Sequence, residues 1–162
     1  GTRKGMQNAA AMSALGLPAT LDGWDGYPAA RERLYDLFRA ARAHPVVLTG
    51  DSHSFWSNEL WDEGRKTRVA AEFGATAVTS PGFGERLTHL PLNDAFVKRN
   101  PEVKFIDAAS KGFVLLTLTP TDATAKMVAV STVAATDFTT TVLKTFAVAP
   151  TADGGVGPLR EL

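Results

Sequence analysis

The sequence predicts an α/β chain whose second half takes on α+β character, and three observations carry that expectation. Residues 28–43 have helical hydrophobic spacing, and they run into the compact apolar run Val46-Val47-Leu48, closed by Gly50. A helix that feeds a buried strand is the ordering typical of α/β proteins. Beyond residue 103 the pattern changes to β-prone segments separated by turn residues, which predicts a largely antiparallel sheet.

Taken in order, residues 4–15 predict a short helix on Met6, Ala9, Ala10, Met12 and Ala14, stopped by Gly16 and Pro18. Residues 21–27 have turn composition, and Pro28 sits where a first helical residue often lies. Within 28–43, Ala30, Leu34, Leu37, Phe38 and Ala41 share one face, while Arg31, Glu32, Arg33, Asp36, Arg39 and Arg42 occupy the others. His44-Pro45 ends that helix, and 46–48 reads as a strand buried on both faces. Residues 68–73 alternate, 75–79 form a short β-prone segment, and Ser80-Pro81-Gly82 reads as a turn before a helix over 92–99. Strands follow at 103–107, 112–119, 125–133 and 140–149, with Pro120-Thr121-Asp122 as a hairpin turn. The organisation expected is one domain portion over 1–150 and a flexible tail over 151–162, the latter rich in Gly and small residues.

Composition narrows the chemistry. A chain of 162 residues suffices for one ordinary domain or for a piece of a larger one. Seventeen basic residues balance seventeen acidic ones, so no global field draws the chain to nucleic acid or an anionic membrane. No run reaches the ~18 to 20 apolar residues that a bilayer-spanning helix requires. The absence of cysteine removes disulfides, thiolate metal sites and cysteine nucleophiles, so any metal must sit on oxygen and imidazole. The opening Gly1-Thr2-Arg3-Lys4-Gly5 lacks the apolar stretch of a signal peptide and leaves the compartment open.

The most informative segment is Gly50-Asp51-Ser52-His53, directly after the apolar run. In an extended loop, the i, i+2 spacing of Asp51 and His53 directs both side chains the same way, which suits two ligands of one metal centre. The same residues also read as a plain turn at a strand end, with Asp51 bonding nearby amides. A third reading makes Ser52 the nucleophile of a GDSL-type serine esterase. That family's Asp-x-x-His element is missing, because the last histidine, His89, is preceded three positions earlier by Arg86. Asp25 lies on a Gly-hinged aromatic loop able to wall a pocket. Arg31 and Arg33, in the first turns of the next helix, suit phosphate or serve as solvated helix charges. Phe55 and Trp56 read as core or site floor, and His44 and His89 as structural.

Asp25-Gly26-Tyr27-Pro28 with Arg31 and Arg33, followed by Val47-Leu48-Thr49-Gly50-Asp51-Ser52-His53-Ser54-Phe55-Trp56-Ser57-Asn58, resembles consecutive blocks of the PhoD-like metallophosphatases. The likeness continues through Glu72-Phe73, Thr79-Ser80-Pro81-Gly82 and Asn100-Pro101, and weakens after about residue 133. It implies the C-terminal portion of a calcineurin-like metallophosphoesterase domain, a two-sheet sandwich flanked by helices with metals at the strand ends. By that resemblance Asp51 and His53 are metal ligands and catalytic residues, and Asp25 and Arg31 contact substrate. It further implies ferric iron plus calcium, phosphate mono- or diester substrates, and a periplasmic or secreted setting.

Where family members carry an N-terminal half with an early aspartate, further aspartate and tyrosine ligands and an Asn-His pair, these residues have no counterpart. Asp51 and His53 offer too few donors for an all-protein site of two or three cations. The expectation is therefore a portion of the enzyme, inactive alone, which pairs with the missing half or with further copies of itself. The alternative is a metal-free structural or interaction module that docks a partner through a sheet edge or apolar face.

Overall fold

The computed structural model describes Met12, Leu15 and residues 21–162. The helix expected over 4–15 falls, apart from Met12 and Leu15, outside the described residues. The chain divides into two compact units, Gly1–Ala41 and Arg42–Leu162.

In the first unit, a 3-10 turn over Trp24–Gly26 leads into helix α1, Pro28–Ala40, with Pro28 at its N-terminus. Proline is favoured there because its missing N–H is one that helix geometry leaves unpaired. Tyr35 is buried and stacks in tilted contact with Phe38 at 6.3 Å.

The second unit is a sandwich of two four-stranded sheets. Strands β1 (Val46–Thr49), β2 (Phe55–Trp61), β3 (Arg68–Gly74) and β4 (Val103–Asp107) form the first, in spatial order β1-β3-β2-β4. Here β1 runs parallel to β3, and β2 antiparallel to both β3 and β4. Strands β5 (Lys111–Leu118), β6 (Ala123–Val130), β7 (Thr140–Val148) and β8 (Arg160–Glu161) form a wholly antiparallel second sheet in chain order. Phe55, Phe73, Ala125, Met127 and Phe146 meet between the sheets, joined by Val46, Phe105, Val114 and Leu116. A second cluster of Ala71, Ala123, Val148 and Val156 extends that core toward one end. On the opposite face of the first sheet, helix α3 (Leu92–Arg99) brings Phe96 edge-on to Trp56 at 5.3 Å, over Val103, Ile106 and Ala108. A single helical turn, α2 (Phe83–Arg86), supplies Phe83 to the same cluster.

Most expected elements stand within one to three residues, including the helix over 92–99 and the last four strands. The hairpin turn forms because the Thr119 hydroxyl accepts from the amides of Thr121 and Asp122 while the Thr119 amide donates to the Asp122 carbonyl. Three expectations need correction. The run Val46-Val47-Leu48 is not buried on both faces: β1 is an edge strand, and Leu48 is 60% exposed. Residues 75–79 form no strand: the Ala75 amide donates to the Thr49 carbonyl at 2.9 Å, and from Thr76 onward the chain runs as a loop, with the Thr76 hydroxyl on the carbonyls of His53 and Ser110. Residues 151–162, expected as a flexible tail, carry a Thr151–Gly155 hydrogen-bonded turn, a Pro150–Val156 bridge and β8.

Candidate metal half-site at the strand ends

Because β3 lies between β1 and β2, the chain leaving Thr49 must cross the end of β3 before re-entering the sheet at Phe55. That crossing is residues 50–54, at the carboxyl end of two parallel strands, where open α/β sheets place their ligands. Gly74 ends β3 beneath it. A side chain there would meet Trp56 at 3.0 Å and the Thr49 hydroxyl at 3.2 Å, so the crossing depends on its absence.

The crossing is tight. The Ser52 amide donates to the Gly50 carbonyl at 2.7 Å, and Asp51 between them has φ +65°. A two-residue closure around a positive φ is the γ-turn of the rarer, strained kind. His53 follows with φ +57°, also left-handed. Two positive-φ non-glycine positions, with only Ser52 between them, mark stored backbone strain, which concentrates at functional sites. This overturns the extended-loop argument for Asp51 and His53, since the segment turns twice where extension was assumed. Asp51 is exposed and His53 half-buried.

Each neighbour of the turn is engaged. The Trp56 indole N–H donates to Ser52 Oγ at 2.8 Å, and Ser54 is wholly buried with its hydroxyl toward the Ser52 carbonyl at 3.3 Å. Ser52 thus serves as an acceptor for Trp56. His53 Nδ1 lies 3.0 Å from the Pro81 carbonyl. A carbonyl only accepts, so Nδ1 carries the proton in the neutral ring and Nε2 keeps its lone pair. Metal-binding histidines commonly use this arrangement, with one nitrogen tied to a carbonyl and the other left to the metal. Thr76 donates toward the carbonyls of His53 at 3.1 Å and Ser110 at 2.8 Å, joining the crossing to the loop after β4. In that loop the Asp107 carboxylate accepts from the amides of Ala109 and Ser110 and from the Ser110 hydroxyl. Glu85 on α2 pairs with Lys111 at the start of β5, and this hydrogen bond holds its carboxyl below the ordinary value of 4.5.

Behind the crossing, the Glu72 carboxylate accepts from the Thr49 hydroxyl at 2.7 Å and from the Asn58 amide at 3.1 Å, stitching β1, β3 and β2 together. In the other unit, Asp25 and Arg31 form an ion pair, so two expected substrate contacts are partners of one another. Arg33 is exposed, as are His44 and His89. His44 Nε2 meets the Gly154 carbonyl at 3.0 Å.

The profile of the family described as PhoD-like phosphatase matches residues 3–127. The chain belongs to the PhoD-like phosphatases. Alkaline phosphatase D of Bacillus subtilis (strain 168) is 37% identical over 105 residues, covering 62% of this chain and 18% of that protein. A solved structure described as "Structure of PhoD" superimposes with a TM-score of 0.69 at 29% identity, over 87% of this chain and 26% of that one. The chain thus spans about a quarter or less of the length of the relatives it matches. The two-sheet α/β architecture is the one that the solved PhoD shares.

Among the described residues of this PhoD-like chain, no three His, Asp or Glu side chains gather as a metal cluster. The donor set it offers at the crossing is one carboxylate and one imidazole with a defined free nitrogen. That set fits part of a site for a hard or borderline cation and falls short of a whole one. No role at the crossing was expected of Pro81 or Thr76, whereas Trp56 was expected as core or site floor. Their roles run through a carbonyl, a hydroxyl and an indole N–H that no spacing rule marks, though Ser80-Pro81-Gly82 was visible as a turn.

Proposed function

We propose that this chain supplies Asp51 and His53 as metal ligands to a phosphoesterase of the PhoD-like kind, acting on phosphate mono- or diesters. The observation that carries the reading is the Pro81 carbonyl on His53 Nδ1, which leaves Nε2 as a donor, two residues from Asp51 in a strained turn at the strand ends. Ferric iron and calcium are the cations we assign from the PhoD-like family; imidazole nitrogen with carboxylate oxygen suits the iron, and calcium takes oxygen donors alone. Such cations supply charge neutralisation on the phosphoryl oxygens and activation of water for in-line attack. The chain's own contribution is to place Asp51 on the turn and to hold the His53 ring in one tautomer. Arg31, kept in place by Asp25, is assigned to the phosphate oxygens through its remaining guanidinium donors.

Two donors do not complete a cation site. The working enzyme is therefore this chain joined to further ligands, from a longer PhoD-like polypeptide or another copy, in a periplasmic or secreted setting. The isolated chain should be inactive.

The test compares hydrolysis of p-nitrophenyl phosphate and bis-p-nitrophenyl phosphate by the chain alone and by the chain joined to the N-terminal portion of a PhoD-like relative. Activity should appear only in the joined protein. Asp51→Asn and His53→Asn, which tolerate a left-handed backbone, should each reduce kcat/KM by a factor corresponding to several kcal/mol. Ser52→Ala should leave it within a few-fold. Full activity in either Asn variant refutes the ligand assignment, and a joined protein that binds no metal points to a structural module.

A further inference from the structure

We propose that Thr76 and Gly82 are positioning residues for His53, together holding its imidazole as the Nδ1–H tautomer and leaving Nε2 as the donor. The inference deepens the metal-ligand reading and rests on it. Unconstrained, a neutral imidazole in water exchanges between two tautomers, and only one of them offers Nε2 to a cation. The Pro81 carbonyl, 3.0 Å from Nδ1, selects that one. The question is what keeps that carbonyl and the ring in register.

Gly82 answers for the carbonyl side. Its backbone is extended and unstrained, at φ −92° and ψ 173°, so flexibility is not the reason for glycine here. Space is the reason. A Cβ at 82 would lie 2.8 Å from the His53 carbonyl oxygen and 3.3 Å from that of Ala108. Both are backbone atoms that cannot swing aside, so any side chain drives the 81–82 segment away from His53. From the other direction, the Gly82 amide faces Glu85 Oε1 at 3.4 Å, and Glu85 is paired with Lys111. The segment is thus held close from one side and free of obstruction on the other.

Thr76 answers for the ring side. His53 sits at φ +57°, a conformation that a non-glycine residue leaves unless its peptide is held. The buried Thr76 hydroxyl lies 3.1 Å from the His53 carbonyl and 2.8 Å from that of Ser110, so its single proton is shared between them. It ties the peptide that carries the imidazole to the loop after β4, at Ser110.

The experiment is a long-range proton–nitrogen correlation of the histidine rings in the full 162-residue chain, nitrogen-15 labelled, metal-free, at a pH where imidazole is neutral. His53 should show a protonated Nδ1 and an unprotonated Nε2. His44, whose Nε2 meets the Gly154 carbonyl, should show the reverse and serves as internal control. In Thr76→Val and Gly82→Ala the His53 signals should move toward the average of both tautomers, and Co2+ affinity should fall about 10-fold or more. Thr76→Ser, which keeps the hydroxyl, should retain both. A native His53 that is averaged or Nε2-protonated overturns the proposal even if the variants fail to fold, as does an unchanged tautomer in folded variants. A locked tautomer whose Co2+ affinity is indifferent to Asp51→Asn upholds the positioning and sinks the metal-ligand reading.

Discussion

At Asp51 the backbone and the side chain make opposite demands. The left-handed φ costs a residue with a Cβ roughly 1 kcal/mol or more, and Asp bears that cost better than most. Asp51→Gly should therefore raise stability by about 1 kcal/mol in urea denaturation while removing the proposed ligand. A loss of stability would show that the turn is not strained. Near it, Glu85 gives a pH signature. Its carboxyl is held low in the folded chain by the Lys111 hydrogen bond. The pair's contribution is thus fully present above the unfolded value near 4.5 and is lost as pH falls through the lower folded value. Thermal midpoints of the native chain and Glu85→Gln should differ at neutral pH and converge in acid. At this scale the sequence singles out residues by identity, which is how Asp51 and His53 come forward as proposed ligands. It was opaque where a carbonyl decides, as with Pro81, because every residue has one.

Strand β2 shows why an element can be present and unread. Its inward positions Phe55, Ser57 and Glu59 include two polar residues, so apolar and polar residues do not alternate as they do in a half-buried strand. Glu59 is 3% exposed, yet Arg68 and Lys104 each approach its carboxylate at 3.3 Å and the Leu159 amide donates to it at 3.0 Å. Tertiary neutralisation overrides the local pattern. Glu59→Ala should cost about 3 kcal/mol in chemical denaturation, the scale for breaking a buried pair, and should raise hydrogen exchange at Leu159. Strand β1 misled in the opposite sense. A short apolar run reads the same in a sheet centre as at an edge, and only the pairing of β1 with β3 alone exposes Leu48. The antiparallel second sheet was legible nearly throughout, since its strands are long and its turn at 119–122 carries its own side-chain signal.

Across the whole molecule, stability rests on the layer between the sheets, where Phe73 is almost wholly buried against Phe55, Met127 and Phe146. Phe73→Ala should cost about 3–5 kcal/mol in urea denaturation, and a much smaller cost would mean that the sheets do not pack as a sandwich. The family was legible from two ordered blocks of residues, and the profile match over 3–127 ends close to where the sequence likeness fades. Among the described residues no three His, Asp or Glu side chains gather, so no fuller metal cluster was there to be read. One consequence of the β1-β3-β2 order concerns time. Strands β2 and β3 are joined by a short local turn in which the Asp62 carboxylate accepts from the amides of Lys66 and Thr67, so they can pair early. Strand β1 has no partner until β3 exists, and its pairing of Val46 with Ala71 closes a much longer loop. The crossing at 50–54 can take its shape only when that late docking is complete. The site at the crossing thus depends on a pairing of longer range than the hairpin beside it.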